Sequence, residues 1–146
     1  MFDKYLICKD GLRNVISETG HVEGFEMKIR IPYYRGVPLS VIEEIKIAVG
    51  GGVDGGAQIF GNDQIRFSVA SGSFMMSEMS TVATKRWNFD EDATLKIYRP
   101  GGLVYFDQQI ELWITIRAPY GRFSGHDRKT LTMEADKYLE IGGQRS

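Results

Sequence analysis

The sequence contains a single cysteine, Cys8, among its 146 residues. One cysteine cannot form a disulfide within the chain, so no oxidising compartment is implied. No apolar stretch approaches the roughly 20 residues that a membrane helix needs. Near the N-terminus, Asp3 and Lys4 interrupt the apolar residues, so we expect no signal peptide. These features predict a cytoplasmic protein.

Histidine is almost as scarce, since the chain has only His21 and His126. The spacings that mark zinc sites, such as paired histidines completed by a carboxylate, do not occur. We therefore expect this chain to hold no metal or other cofactor of its own. His126 and Asp127 do not predict a catalytic triad, because adjacent residues on an extended segment point to opposite sides.

The sequence also lacks an excess of charge of either sign, and its formal net charge is −1. That balance gives no general attraction to nucleic acid or to anionic membranes, so we expect neither as a partner. Hydrophobic residues make up 42% and charged residues 25% of the chain. These fractions are ordinary for a globular protein and argue against disorder. The length predicts a single domain over residues 1–146.

In five segments, the sequence alternates regularly between apolar residues and other residue types. The segments are 25–31, 44–49, 64–69, 95–98 and 110–117. A period of two is typical of strands with one buried face. Turn-forming glycine, asparagine and proline lie between the segments, including a glycine-rich stretch at 50–56 that we expect at a hairpin tip. The pattern predicts an all-β chain, an antiparallel β-sandwich of about 8–10 strands with little helix.

Trp113 is the main binding candidate within the alternating segments. It shares a strand face with Glu111, Thr115 and Arg117, opposite the apolar set. Tryptophan and arginine are common anchors of protein interfaces, so this face could meet a partner. Alternatively, a loop or a second sheet covers it, and the strand pattern does not separate these two possibilities.

Two further stretches combine proline, aromatic and basic residues, and both are predicted to be loops. In the first, residues 31–40, two prolines stiffen the backbone around two phenols and a guanidinium, which suits contact with a sugar, an aromatic ligand or a protein. Its site candidates are Pro32, Tyr33, Tyr34, Arg35 and Pro38. The second, residues 118–129, supplies the candidates Tyr120, Arg122, Phe123 and His126. For the first loop, simple packing against one end of the sandwich is the alternative.

Several stretches resemble the beta (small) subunit of bacterial C-glycoside deglycosidases. They are 1–6 (MFDKYL), 29–40 (IRIPYYRGVPLS), 78–79 (EM) with 86–87 (RW), 99–103 (RPGGL) and 129–132 (KTLT). The matches follow one another in order over nearly the whole chain. The run from Pro32 to Ser40 is the most specific of them.

The resemblance implies a function for the chain as one subunit of a carbon–carbon lyase. Enzymes of this kind cleave the bond between a sugar and an aromatic aglycone such as a flavonoid, after a separate oxidoreductase has made the 3-keto sugar. A larger alpha subunit, a TIM barrel similar to sugar isomerases, is expected to hold a divalent metal, manganese, and the acid/base residues. The beta subunit is expected to be a β-sandwich that binds alpha, and to contribute no catalytic residue.

The site candidates are therefore assigned to the subunit contact or to the rim of the partner's active site. A sugar carbonyl acidifies the neighbouring C–H bonds, and a metal can stabilise the resulting enolate. A metal needs several carboxylate or imidazole ligands close together, and this sequence has no cluster of such residues. Two alternatives stay open: a stand-alone carbohydrate-binding or protein-interaction sandwich, and an independent enzyme that uses His126. The aglycone, its C6 or C8 attachment and the number of alpha–beta units are not determined by the sequence.

Overall fold

The computed structural model describes residues 6–8, 11–31, 36–50, 58–88, 90–102, 107–118 and 121–132. Within these ranges the chain forms eleven strands and three short 3-10 helices. The strands are β1 (Arg13–Ile16), β2 (Val22–Ile29), β3 (Val37–Pro38), β4 (Ile42–Gly50), β5 (Gln58–Phe60), β6 (Ile65–Val69), β7 (Gly72–Met75), β8 (Arg86–Trp87), β9 (Ala93–Tyr98), β10 (Asp107–Ala118) and β11 (Gly121–Thr132). The 3-10 helices are Leu39–Val41, Asn62–Gln64 and Met76–Thr81.

Nine of these strands form two antiparallel sheets. The five-stranded sheet has the order β1-β2-β9-β6-β7 and the four-stranded sheet the order β11-β10-β4-β5. Strands β3 and β8 pair with each other in a separate two-stranded ladder. The prediction of an antiparallel β-sandwich with little helix is confirmed. In the part of the chain that the structure describes, no helix has the length and apolarity to cross a membrane.

Alternation of buried and outward-facing side chains explains why these segments form strands. All five segments predicted from the sequence are strands, namely β2, β4, β6, β9 and β10. Their apolar positions form one buried core between the two sheets. Phe25 of β2 and Phe60 of β5 meet edge to face there, with ring centroids 5.8 Å apart, so the two sheets interlock.

Strand β11 departs from the sequence-based expectation. The prediction of a polar loop over residues 118–129 is wrong, because Gly121–Thr132 is a twelve-residue strand paired with β10 along its whole length. Its inward positions include Gly125, Asp127 and Lys129, opposite the buried Ile114, Leu112 and Ile110 of β10. Without apolar residues at those positions, the strand has no hydrophobic alternation from which to predict it.

The N-terminal segment, residues 6–8, explains how polar residues are tolerated on the inner side of β11. The amide of Ile7 donates a hydrogen bond of 2.8 Å to Oδ2 of Asp127, and Nζ of Lys129 donates one of 2.7 Å to the Ile7 carbonyl. The same segment pairs with β2, since Cys8 donates to the Lys28 carbonyl at 3.0 Å. The segment therefore joins the two sheets, and burial there raises the pKa of the Cys8 thiol.

Candidate functional site

The outer side of the four-stranded sheet brings together most of the described site candidates. Trp113 of β10 lies opposite Lys46 of β4 on one side and His126 of β11 on the other. Residues directly opposite on neighbouring strands project from the same face and are close enough to interact. Lys46, Trp113 and His126 therefore form a row across three strands on the outward side of the sheet.

Two side chains of this row lie against the Trp113 indole. The His126 ring stacks on it with centroids 5.4 Å apart and planes at 30°. Nζ of Lys46 lies 5.8 Å from the centroid of the Trp113 ring. Trp113 is half-buried, and the residues that cover its ring are neighbours in its own sheet.

Glu111 contacts two basic side chains beside this tryptophan. Nε2 of His126 lies 2.5 Å from Glu111 Oε2, and Nη2 of Arg128 lies 3.5 Å from Oε1. The hydrogen bond from His126 and the positive charge of Arg128 hold the pKa of the Glu111 carboxyl below its usual range. Opposite charges near a carboxylate stabilise its ionised form.

Glu43 forms a second cluster of the same kind at the other end of β10 and β11. Arg122 donates from Nε to Glu43 Oε1 at 2.6 Å and from Nη2 to Oε2 at 3.4 Å. Arg117 also contacts Glu43 Oε2, with Nη1 at 3.4 Å. The hydrogen bond from Arg122 lowers the pKa of Glu43, and the same bond raises the pKa of Arg122.

The chemistry that this face offers is recognition by charge and hydrogen bonding. Exposed guanidinium groups can engage carboxylates through two parallel hydrogen bonds. Among the residues that the structure describes, no three His, Cys, Asp or Glu side chains lie together in a way that could hold a metal ion. His126 and Asp127 project from opposite faces of β11, since Asp127 is buried and His126 is exposed.

The sequence-based candidates that the structure describes fall into three groups. Trp113, Arg122 and His126 share the outer face, although the sequence predicted a loop for the last two. Phe123 lies opposite the buried Ile116 and therefore turns towards the interior. Pro38 lies in β3, which pairs with β8 away from the four-stranded sheet. The remaining candidates lie outside the described residues, and their assignment stays a prediction: Pro32, Tyr33, Tyr34, Arg35 and Tyr120.

Four residues of the face were missed as candidates by sequence reasoning: Glu43, Lys46, Ile59 and Arg128. The alternation within β10 places Glu111 and Arg117 beside Trp113, whereas only the strand register brings the other four to this face. For Arg128, the spacing of two residues from His126 within a strand would have indicated the shared face. No signal in the sequence would have connected Glu43 to Arg122, which lies 79 residues later.

The described residues of the first predicted loop, residues 31–40, are held in part by the short ladder of β3 and β8. Ile31 and Val37 are buried, and Val37 pairs with Trp87. The Trp87 ring is fully buried, and its Nε1 donates a hydrogen bond of 2.8 Å to the Glu91 carbonyl. Arg86 donates from Nη2 to the Gly36 carbonyl at 3.0 Å. These contacts anchor both described ends of the loop.

The fold is an antiparallel β-sandwich whose four-stranded sheet carries paired charges around a tryptophan on its outer face. A model of the family described as C-glycoside deglycosidase beta subunit matches residues 2–120. The chain therefore belongs to the C-glycoside deglycosidase beta subunit family, as the sequence resemblance predicted. The stretch at residues 129–132, which contributed to the resemblance, lies beyond the matched range.

Two relatives with assigned names agree with this membership. The C-glycoside deglycosidase beta subunit of Eubacterium cellulosolvens is 34% identical over 101 residues, which cover 69% of this chain and 65% of that protein. The match thus spans slightly less than two thirds of the relative's length. The 3'-dehydrocarminate deglycosidase beta subunit of a Microbacterium species is 31% identical over 121 residues, which cover 82% of this chain and 81% of that protein.

Similarity to solved structures is low. The major subunit AggA of the aggregative adherence fimbriae of Escherichia coli superimposes with a TM-score of 0.30 and 11% identity, covering 88% of this chain and 92% of that one. A score of this size supports no conclusion about fold or function.

Proposed function

We propose that this chain is the small subunit of a heteromeric C-glycoside deglycosidase, a carbon–carbon lyase that separates a sugar from an aromatic aglycone. The observation that carries the proposal is the family match over residues 2–120. Both relatives bear the designation beta subunit, which fits a chain that works with a second, larger one. The name of the Microbacterium relative also designates a 3'-dehydro compound, in line with a 3-keto sugar as substrate.

In this proposal the substrate is a 3-keto C-glycoside of a flavonoid-type aglycone. The sugar carbonyl acidifies the neighbouring C–H bonds, so a base can remove the proton at C2. Elimination then breaks the bond from C1 to the aglycone and leaves a C1–C2 double bond in the sugar, while the aglycone carbon takes up a proton from an acid. A divalent metal, expected to be manganese, supplies charge stabilisation for such a step. We assign the metal and the acid/base residues to the larger subunit, a TIM barrel similar to sugar isomerases. This assignment rests on the family resemblance.

In the proposal, this chain binds the larger subunit and contributes to the rim of its active site. The surroundings of Trp113 favour this role over a stand-alone carbohydrate-binding module. A sugar that stacks on an aromatic ring needs an open ring face, whereas the His126 ring already stacks on Trp113 and Nζ of Lys46 lies 5.8 Å from its centroid. The paired charges around the ring are instead typical of the polar part of a protein interface.

Reconstitution from separately purified subunits tests the proposal. The candidate larger subunit, a sugar-isomerase-like protein whose gene is sought beside the gene for this chain, is assayed for aglycone release from a 3-keto C-glycoside. We expect the rate to rise as this chain is added and to level off at an equimolar ratio. Heat-unfolded chain serves as the control. No change in rate on addition of the folded chain would reject the proposal, and tight binding of glycans by this chain alone would support the stand-alone alternative.

A further inference from the structure

We infer that the outer face of the four-stranded sheet is the surface that binds the larger subunit, and that the partner presents carboxylates to it. Six residues define this docking face: Ile59, Trp113, Arg117, Arg122, His126 and Arg128. The inference rests on the proposed function, because it takes the partner to be the larger subunit. Beyond the proposed function, the inference gives the location of the contact, the chemistry of the partner surface and the residues involved, none of which the family match assigns.

The charges on the docking face are arranged in two layers. The side chains of Arg117, Arg122 and Arg128 are 56%, 67% and 60% exposed, whereas those of Glu43 and Glu111 are only 24% and 22% exposed. Each carboxylate thus lies beneath the cations that it binds. What the face presents to an approaching molecule is mainly guanidinium groups, with the imidazole of His126 and the exposed carboxylate of Glu44, which lies opposite Thr115, among them.

The arginines of the docking face have hydrogen-bond donors left for a partner. A guanidinium carries five N–H donors on three nitrogens. Arg122 uses Nε and Nη2 for Glu43, and Arg128 uses only Nη2 for Glu111, among the described residues. The N–H groups that remain can take a further carboxylate in a bidentate pair, while the partly buried glutamates keep the side chains in place. The docking face therefore suits an acidic partner surface.

An apolar residue on the same face indicates a protein partner. Ile59 of β5 is 59% exposed, and it is the one large hydrophobic residue with such exposure in the part of the chain that the structure describes. It lies opposite Ala48 of β4, which lies opposite Glu111 of β10, so its side chain belongs to the same face. A combination of arginine, tryptophan and an aliphatic residue is typical of protein interfaces. A nucleic acid or another polyanion would gain little from Ile59.

A second copy of this chain is a poor occupant of the docking face. In a two-fold symmetric contact each surface meets itself. The outer cation layer of one copy would then face the outer cation layer of the other, which costs free energy. A partner of opposite charge avoids that repulsion, and the larger subunit is the partner that the proposed function supplies.

The outer face of the five-stranded sheet offers a matched control. There, Arg13 pairs with Glu26 at 2.7 Å and Lys96 pairs with Glu23 at 2.5 Å. The double variant Arg13→Glu with Lys96→Glu changes the net charge by the same amount as Arg122→Glu with Arg128→Glu. Each variant also breaks two pairs to glutamates. The two double variants therefore agree in charge change and in the number of broken pairs, and they differ in the face of the protein that they alter.

Binding of these variants to the larger subunit tests the inference. We expect Arg122→Glu with Arg128→Glu to raise the Kd about ten- to hundredfold, mostly at low salt, and the control to stay within about twofold of wild type. Ile59→Asp, a second variant at an exposed position, should also raise the Kd. Thermal unfolding midpoints establish that the variants are folded.

Four outcomes would overturn the inference. If wild type and docking-face variants bind equally well, the contact lies elsewhere, although the proposed function stands. If both double variants weaken binding alike, net charge rather than location is responsible. If the wild type does not bind the larger subunit, the proposed function fails as well. Loss of a homodimer in the docking-face variants would assign the face to a second copy, which also contradicts the inference.

Discussion

Trp113 and His126 lie directly opposite each other on β10 and β11, with stacked rings whose centroids are 5.4 Å apart. The same imidazole also contacts Glu111, which lies on β10 two residues before Trp113. The stacking contact and the hydrogen bond together fix the orientation of the His126 ring. The tryptophan that the sequence marks as a binding residue is therefore part of a side-chain network that offers charges, rather than an open ring face, to solvent.

The covered indole predicts that free carbohydrates leave Trp113 unaffected. Titration of the isolated chain with sugars and oligosaccharides should give no saturable change in tryptophan fluorescence, because the His126 ring stacks on Trp113 and Nζ of Lys46 lies 5.8 Å from its centroid. Trp113→Phe serves as the control that identifies the source of any signal. A saturable change that disappears in Trp113→Phe would contradict this prediction and favour a stand-alone carbohydrate-binding function.

The two tryptophans should contribute very differently to stability. Trp87 is fully buried, meets Phe67 edge to face at 5.1 Å and donates a hydrogen bond to Glu91. Trp87→Ala should lower the free energy of unfolding by about 3–5 kcal/mol, since it leaves a cavity in the core. Trp113→Ala removes a half-buried ring and should cost only about 1 kcal/mol. Urea unfolding of both variants measures the difference, and equal losses would contradict the assigned burial.

Asp127 should hold the N-terminal segment against β11. It accepts hydrogen bonds of 2.8 Å from the amides of Ile7 and Arg128. Asp127→Ala leaves buried donors without a partner, so we expect a loss of about 1–3 kcal/mol and faster hydrogen exchange at the Ile7 amide. Asp63→Ala, at an exposed position, is the control and should change stability by less than about 0.5 kcal/mol. Unchanged exchange at Ile7 in Asp127→Ala would show that the segment is held by other contacts.

The two clustered glutamates predict a loss of stability in acid. The pKa values of Glu43 and Glu111 are lowered from 4.5 in the folded chain. Their stabilising contribution is fully present above the unfolded-state pKa and disappears as the pH falls through the lower folded-state pKa. The thermal midpoint should therefore fall between about pH 6 and pH 3, and less steeply in Glu43→Gln with Glu111→Gln.

The control for this pH experiment is Glu44→Gln. Glu44 is exposed on β4 and makes no ion pair among the described residues. Its variant should show the wild-type dependence of the thermal midpoint on pH. If the double variant at Glu43 and Glu111 also keeps the wild-type dependence, the two clusters do not contribute to stability as described.

A comparison of β10 and β11 shows which parts of the fold could be predicted from the sequence. In β10 the inward positions are the isoleucines and leucine from Ile110 to Ile116, so the period of two is plain. In β11 the corresponding positions include Gly125, Asp127 and Lys129, whose partners are backbone groups of the distant N-terminal segment. A long-range contact of that kind leaves no local pattern. Strands β3 and β8 were missed because two residues cannot show a period.

The candidate site could be predicted only in part for the same reason. The outward face of β10 with Trp113 follows from alternation within one strand. The addition of Arg122 and His126 to that face required the pairing of β10 with β11, and that of Glu43 required the pairing with β4. Sequence alone therefore identified residues of the right chemistry without the register that brings them together.

Size-exclusion chromatography with light scattering tests the central claim most directly. The chain and the candidate larger subunit used for reconstitution are mixed and compared with each protein run alone. We predict a single peak that contains both chains, with a mass equal to a whole number of alpha–beta units. The concentrations of both proteins are kept well above those of the activity assay. Two separate peaks with the masses of the isolated proteins would then contradict the claim that the two chains form a complex.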